Sequence, residues 1–276
     1  MIFPYGKNIF LTGGSSGIGL ATALLLAENG YTVYAASRKP VVGSGILPGG
    51  GEIRPVKLDV IDPDSIDAAV ETLLAQTDIG VIIHCAGIGI ACPAEEFPSD
   101  AVTGLMDTNF FGILRLNSRF LPHFRKRGSG LCLIVSSVAS VFPVPFQSHY
   151  SASKAALDSY AAALRMELSC YGIRVCLVHP GDTNTGFTNA RTYEIEVDSP
   201  YYQTCVKAVG KMEKDETEGR SPKSVALAVL KLCKRKRPPL RTVVGLDYKL
   251  LVFLKRLLPD RAVEAILKSM YLGGKP

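Results

Sequence analysis

The 276-residue chain has no tryptophan, no Cys-x-x-C pair, no internal repeat and no low-complexity tract. It also lacks any apolar run near the roughly 18 residues needed to span a bilayer. Each absence removes a class of protein. Seven cysteines (Cys85, Cys92, Cys132, Cys170, Cys176, Cys205 and Cys233) make an odd, unpatterned set, with Cys132 and Cys176 inside apolar strand-like runs. That usage suits a reducing compartment and no bound metal. A first strand at about Lys7 to Thr12 starts too early for a signal peptide, so the expected location is cytoplasmic. No composition shift marks a hinge, and 47% hydrophobic residues can fill a sizeable core, so residues 1–276 are expected to form one domain.

Negative charge is scarce in one region only. Residues 207–276 hold 17 Lys+Arg against 7 Asp+Glu, a net +10, whereas the preceding residues carry 14 against 18, a net −4. The densest run, Lys234–Arg237, is read as a solvated helix end ahead of Pro238-Pro239 rather than as a nucleic-acid contact.

β-branched runs alternate with helical patterns. Strands are expected at Asn8–Thr12, Tyr31–Ala36, Ile53–Leu58, Gly80–Cys85, Leu131–Ser136, Arg174–His179 and about Thr242–Gly245. Helices are expected at Gly17–Asn29, Pro63–Gln76, Asp100–Lys126 and about His149–Cys170. The alternation predicts a doubly wound α/β fold of Rossmann type, a single parallel sheet with helices on both faces. Pro40–Gly51, with five glycines and two prolines, reads as an irregular connection in place of a crossover helix. About 182–220 reads as a partly helical lid, and 247–276 as a helical extension broken at Pro259.

The chemistry starts in Thr12-Gly13-Gly14-Ser15-Ser16-Gly17-Ile18-Gly19. Gly13 permits a tight bend, Gly17 lets backbone approach a pyrophosphate, and Gly19 lets the helix pack on the strand, leaving the anion at a helix amino terminus. Farther on stand Ser137, Tyr150 and Lys154, the last two separated by one helical turn. A phenol can give a proton to a carbonyl oxygen while hydride reaches the carbon, and an ammonium at i+4 favours the phenolate. After the second strand, Ser37-Arg38-Lys39 supplies two cations and no carboxylate, which suits a ribose 2′-phosphate and hence NADP(H) over NAD. The alternative is that both cations are solvated loop charges.

The spacing G-x-x-x-G-x-G with Tyr150-x-x-x-Lys154 resembles the short-chain dehydrogenase/reductase family over about residues 6–245. The resemblance implies that Asn109, Ser137, Tyr150 and Lys154 are the catalytic residues, Asn109 holding a water for a proton relay through Lys154. It further implies that Ser15, Ser16 and Ile18 of the turn, Ser37, Arg38, Asp59, Val60, Ala86 and Gly87 bind the adenosine half of the cofactor. Pro180, Gly181, Thr183 and Thr185 would hold its nicotinamide, and a homodimer is implied through the helices of Asn109 and Tyr150. One departure is His84-Cys85-Ala86-Gly87, where the family commonly has Asn-Asn-Ala-Gly; His84 is read as a structural histidine and Cys85 as filler.

Val138–Phe146, Phe187 and the aromatic stretch to Tyr202 give apolar substrate walls, which favours a steroid, retinoid or long-chain lipid ketone. The basic tail resembles that of lipid-directed members, and reads either as a cap near the pocket or as a peripheral contact with anionic membrane. A 3-oxoacyl thioester reductase and a non-catalytic NADP(H)-binding regulator remain alternatives.

Overall fold

The computed structural model describes residues 3–40 and 45–273. Its strands are β1 (Asn8–Thr12), β2 (Thr32–Ser37), β3 (Glu52–Lys57), β4 (Val81–His84), β5 (Ile90–Ala91), β6 (Gly130–Val135), β7 (Ile173–His179), β8 (Thr192–Tyr193) and β9 (Arg241–Val243). Its helices are α1 (Gly17–Glu28), α2 (Pro63–Gln76), α3 (Ser99–Met106), α4 (Gly112–Arg127), α5 (Ser148–Glu167), α6 (Tyr202–Thr217), α7 (Pro222–Cys233), α8 (Leu246–Lys255) and α9 (Asp260–Lys268).

Seven strands form one parallel sheet in the order β3-β2-β1-β4-β6-β7-β9. Alternation of side chains along each strand divides the apolar residues between two cores. Phe10, Ile82, Ile134 and Leu177 face α2, α4 and α5, meeting Ile66, Phe120 and Leu157. Ile9, Leu11, Ile83, Leu133 and Val178 face α1 and α7, meeting Leu26, Val225 and Val229. Every residue of β6 is buried, as a central strand covered on both faces requires. Pro55, which cannot donate to a ladder, lies in the edge strand β3. This is the doubly wound α/β architecture expected from the alternation.

The segment leading into β3 contains no helix over its described part, 45–51; residues 41–44 of that connection and 274–276 of the C-terminal extension lie outside the described residues. Two features were not anticipated. The expected helix at 100–126 is divided by a π turn at Asp107–Phe111 that contains Asn109. A small second sheet pairs β5 with β8, fastening the chain after β4 to the segment after β7. No helix among the described residues is long and apolar enough to cross a membrane.

Candidate active site

The turn after β1 is built by steric necessity. Gly13 takes φ +72°, and a Cβ on it would lie 2.8 Å from the Ala86 nitrogen. At Gly19 a Cβ would lie 2.1 Å from the Gly13 carbonyl oxygen, so α1 can begin this close to the strand only with hydrogen there. Thr12 locks the same corner, its Oγ1 accepting from the N–H groups of Cys85 at 3.2 Å and Ala86 at 3.3 Å. Sequence reasoning passed over Thr12, although its place directly before the glycine turn was a signal. Ser15, Ser16 and Ile18 lead into α1, where the Ser16 hydroxyl makes no capping bond.

The residues expected around the adenosine share this edge of the sheet. Ala86 and Gly87 follow β4, and Ser37 ends β2 beside the turn with its Oγ buried and without a partner among the described residues. Arg38 is exposed just beyond it. Asp59 accepts from Ile61 N–H through Oδ1 at 3.2 Å, and Val60 packs against Gly112. On the other side, Pro180 accepts from Val138 N–H at 3.0 Å, and the Thr183 hydroxyl donates to the Gly181 carbonyl at 2.8 Å. Thr185 comes back to the glycine turn, its Cβ lying 3.4 Å from where a Cβ on Gly17 would be. The cradle that no Cβ may enter and the orphaned Ser37 hydroxyl fit a dinucleotide.

Tyr150 and Lys154 sit one turn apart on α5, with the Lys154 Nζ 5.6 Å from the Tyr150 ring centre. Lys154 is buried and donates to the Val135 carbonyl at 3.1 Å. Ser137 follows β6, and its Oγ accepts from Ala139 N–H at 3.1 Å. Burial pushes the Tyr150 phenol up to about 12, against the pull of the neighbouring Ser137 hydroxyl and Arg191. Burial also brings Lys154 down to about 8, while Cys85 and Asp158 act in the opposite sense. Burial is the largest influence on the phenol, and the Lys154 ammonium is turned to the Val135 backbone carbonyl.

Asn109 is buried and largely spent on backbone. Its Oδ1 accepts from Ile88 N–H at 2.8 Å, while Nδ2 donates to the Ile88 carbonyl at 3.0 Å and to Ser153 Oγ at 3.2 Å. This clasp gives a reason for the π turn, which sets Asn109 out of the ordinary helical register toward the chain after β4. His84 behaves as the structural reading expected, its Nε2 lying 3.0 Å from Asn117 Oδ1 in the core, where burial lowers it to about 4.

Two buried clusters had no local signature. One turn beyond Lys154, Asp158 meets the His179 Nε2 at 2.8 Å and accepts from the Ser136 hydroxyl at 2.9 Å and the Ser140 hydroxyl at 3.2 Å. Beside Tyr150, the Phe187 ring lies 5.8 Å from the Tyr150 ring, and the Arg191 guanidinium stands 5.8 Å from the Phe187 ring. Arg191 has no exposed side-chain surface and pairs with Glu216 at 2.6 Å and Glu213 at 3.3 Å on α6. Around this cover, Val144, Phe146, Ile195 and Tyr271 pack on Ala91, Cys205, Val209 and Met212.

The sequence profile described as short chain dehydrogenase matches residues 7–196. A 3-ketodihydrosphingosine reductase of Bacteroides thetaiotaomicron is 37% identical over 95% of this chain and 97% of its own. Among solved structures, a short-chain dehydrogenase from Streptomyces avermitilis superposes with TM-score 0.79 at 28% identity, covering 96% of this chain and 97% of that one. Two more distant structures share the fold: one from Burkholderia cenocepacia in complex with NADP (TM-score 0.72, 23% identity, 96% and 99% coverage), and one from Burkholderia phymatum in complex with NAD (0.79, 20%, 96% and 97%).

Proposed function

The chain belongs to the short-chain dehydrogenase family, and on that premise we propose that it uses NADP(H) to interconvert a ketone and a secondary alcohol on a long-chain or polycyclic lipid. The observation that carries this reading is the Phe187 ring 5.8 Å from that of Tyr150, in a segment after β7 whose Ile195 packs in one apolar cluster with Val144 and Phe146. A short polar substrate gains nothing from such walls, whereas each buried methylene of a lipid gains about 0.8 kcal/mol. The 3-ketodihydrosphingosine reductase named above acts, by its name, on a ketone of this kind.

The bound dinucleotide supplies or accepts a hydride. The Gly13–Gly19 turn and the α1 amino terminus hold its pyrophosphate, Ser37 and Arg38 its adenosine ribose, and the Pro180–Thr185 segment its nicotinamide. The exposed Arg38, with no carboxylate beside it at the end of β2, favours a 2′-phosphate. In the reducing direction the Tyr150 hydroxyl donates its proton to the carbonyl oxygen, and the Ser137 hydroxyl orients that oxygen. Lys154, its own proton loosened by burial, stabilises the phenolate left behind. The Asn109 side chain holds the Ile88 backbone, and any relay through this residue falls to its main chain. Residues 182–220 serve as a lid. A homodimer pairs through the π turn with α4 and through α5, where Phe111 and Met166 respectively are exposed, and the seven free thiols suit the cytoplasm.

The test is NADPH and NADH oxidation with a long-chain ketone beside a short 3-oxoacyl thioester. NADPH turnover of the lipid is expected, and Tyr150→Phe should lower kcat/KM by about 10³ without unfolding the protein. Turnover of the thioester alone would replace lipid by thioester, and cofactor binding without any Tyr150-dependent turnover would leave a regulatory protein.

A further inference from the structure

On the edge of the sheet away from the glycine turn, α7, β9 and α8 enclose a cleft of about 740 Å³. Six cations line it: Arg220, Lys231, Arg235, Arg241, Lys249 and Arg256. Arg220 pairs with Asp247 at 2.6 Å and Arg241 approaches Asp158 at 3.6 Å. The other four have no ion pair among the described residues. Three buried polar atoms on the wall also lack partners there: Ser224 Oγ, Thr242 Oγ1 and His179 Nδ1. The floor is apolar, with Leu232, Val244 and Val252. Unpaired cations over apolar side chains, with orphaned hydrogen-bonding atoms beneath, recognise an anionic head carried on a hydrocarbon.

α8 contributes both parts of such a surface. Lys249, Val252, Phe253 and Arg256 recur at helical spacing and line the cleft. Leu246, Leu250, Leu254 and Leu257 are exposed, Leu246 by 80% and Leu257 by 68%, and no residue of α8 is buried. A helix with exposed leucines beside a cationic cleft, in the part of the chain carrying net +10, matches the interface of an anionic bilayer in charge and polarity. We propose that the α7–β9–α8 cleft takes the phosphate head of an anionic membrane lipid while the leucines of α8 enter the acyl region. Lys255, on the same helix, donates to the Val141 carbonyl in the chain between Ser137 and Tyr150, so the docked face adjoins the candidate active site.

The experiment is sedimentation of the full chain with phosphatidylcholine vesicles, with and without one third phosphatidylglycerol. The protein should follow the anionic vesicles only, and less so in high salt. Lys231→Ser with Arg235→Ser should weaken partition about 25-fold, at about fivefold per charge; Arg125→Ser with Lys126→Ser, which removes equal charge on α4, should change it less than twofold. Leu250→Trp introduces the chain's sole tryptophan, and its emission should shift to the blue with anionic vesicles. Equal binding to both vesicles, or equal effects of the two double variants, would overturn the proposal. So would a blue shift that follows protein concentration without vesicles, which means a second copy covers the face. Stabilisation by inorganic phosphate without vesicle binding would overturn the membrane as the source. The docking does not depend on the substrate: vesicle binding without ketone turnover refutes the functional reading alone, and turnover without vesicle binding refutes this one alone.

Discussion

At Gly19 one added methyl group would lie 2.1 Å from a backbone oxygen, whereas at Gly210, on the exposed side of α6, nothing stands within 4 Å of the same methyl. The two positions belong to regions assembled by different forces. Around the glycine turn, backbone lies against backbone and a few hydrogen atoms set the geometry. In the segment after β7, the fold is held by side chains reaching across sequence: Arg191 to Glu213 and Glu216, Thr188 to Glu216, Tyr193 to Glu213, and Tyr248 to Asp182. Steric contacts of the first kind yield only by moving the chain, while contacts of the second kind can open one at a time. On the function proposed above, that difference would make the glycine turn a rigid holder for one reactant and the segment after β7 an openable cover for the other.

Gly19→Ala should have the largest effect. The Gly13 carbonyl cannot turn away without dragging the turn, so a loss of about 3 kcal/mol in unfolding free energy is expected by denaturant titration. Dinucleotide affinity should fall at the same time. Stability and affinity close to wild type would mean that the turn is as compliant as the cover, and the contrast would fail.

Arg191→Met tests the other region. It leaves Glu213 and Glu216 without their partner and removes the cation from the Phe187 ring, at a cost of about 3 kcal/mol by the precedent of broken buried pairs. The cost should appear locally: amide exchange in α6 should accelerate at least tenfold, KM for a lipid ketone should rise, and dinucleotide affinity should change less than threefold. A parallel fall in dinucleotide affinity would show that cover and holder act as one unit.

Lys154 lies where the regions meet, and its burial gives a pH test. Its folded value is about 8 against an ordinary 10.5, so the unfolded chain binds more protons between those values. The cost of burying the ammonium is therefore fully present below pH 8 and is relieved as the pH rises toward 10.5. Relative to Lys154→Met, the wild type should gain about 2 kcal/mol between pH 8 and 10 in urea unfolding. A difference that stays flat would mean that the amine keeps its ordinary value and is not desolvated as described.

What could be read from the sequence follows the same division. The glycine turn, α1 and the Tyr150-x-x-x-Lys154 pair are local patterns, fixed by spacing along one strand or one helix, and the structure places them together at the carboxyl ends of β1, β4 and β6. The clasp of Asn109 on Ile88 spans 21 residues and bends an expected continuous helix into a π turn, which no periodicity announces. Asp158 with His179 and Arg191 with Glu216 are likewise pairs 21 and 25 residues apart, and no local pattern marks either pair. Tyr248 was legible as part of a helical extension; that its ring would cover Gly181 was not, because the 66 intervening positions carry no signal for the contact.

The smallest effect sharpens the contrast most. Gly210→Ala adds a methyl to open space inside α6 and replaces the poorer helix former, a gain of about 1 kcal/mol. If α6 and its small apolar cluster open independently of the main sheet, that gain slows exchange of the α6 amides about fivefold and leaves β1 and β6 unchanged. The expectation is this local slowing, because Cys205, Val209 and Met212 face Ala91 and Phe146 rather than either of the two large cores. Slowing of equal size in β6 would instead mean that the cover unfolds only with the sheet, and the glycine-built and side-chain-built regions would then be two chemistries within one cooperative unit.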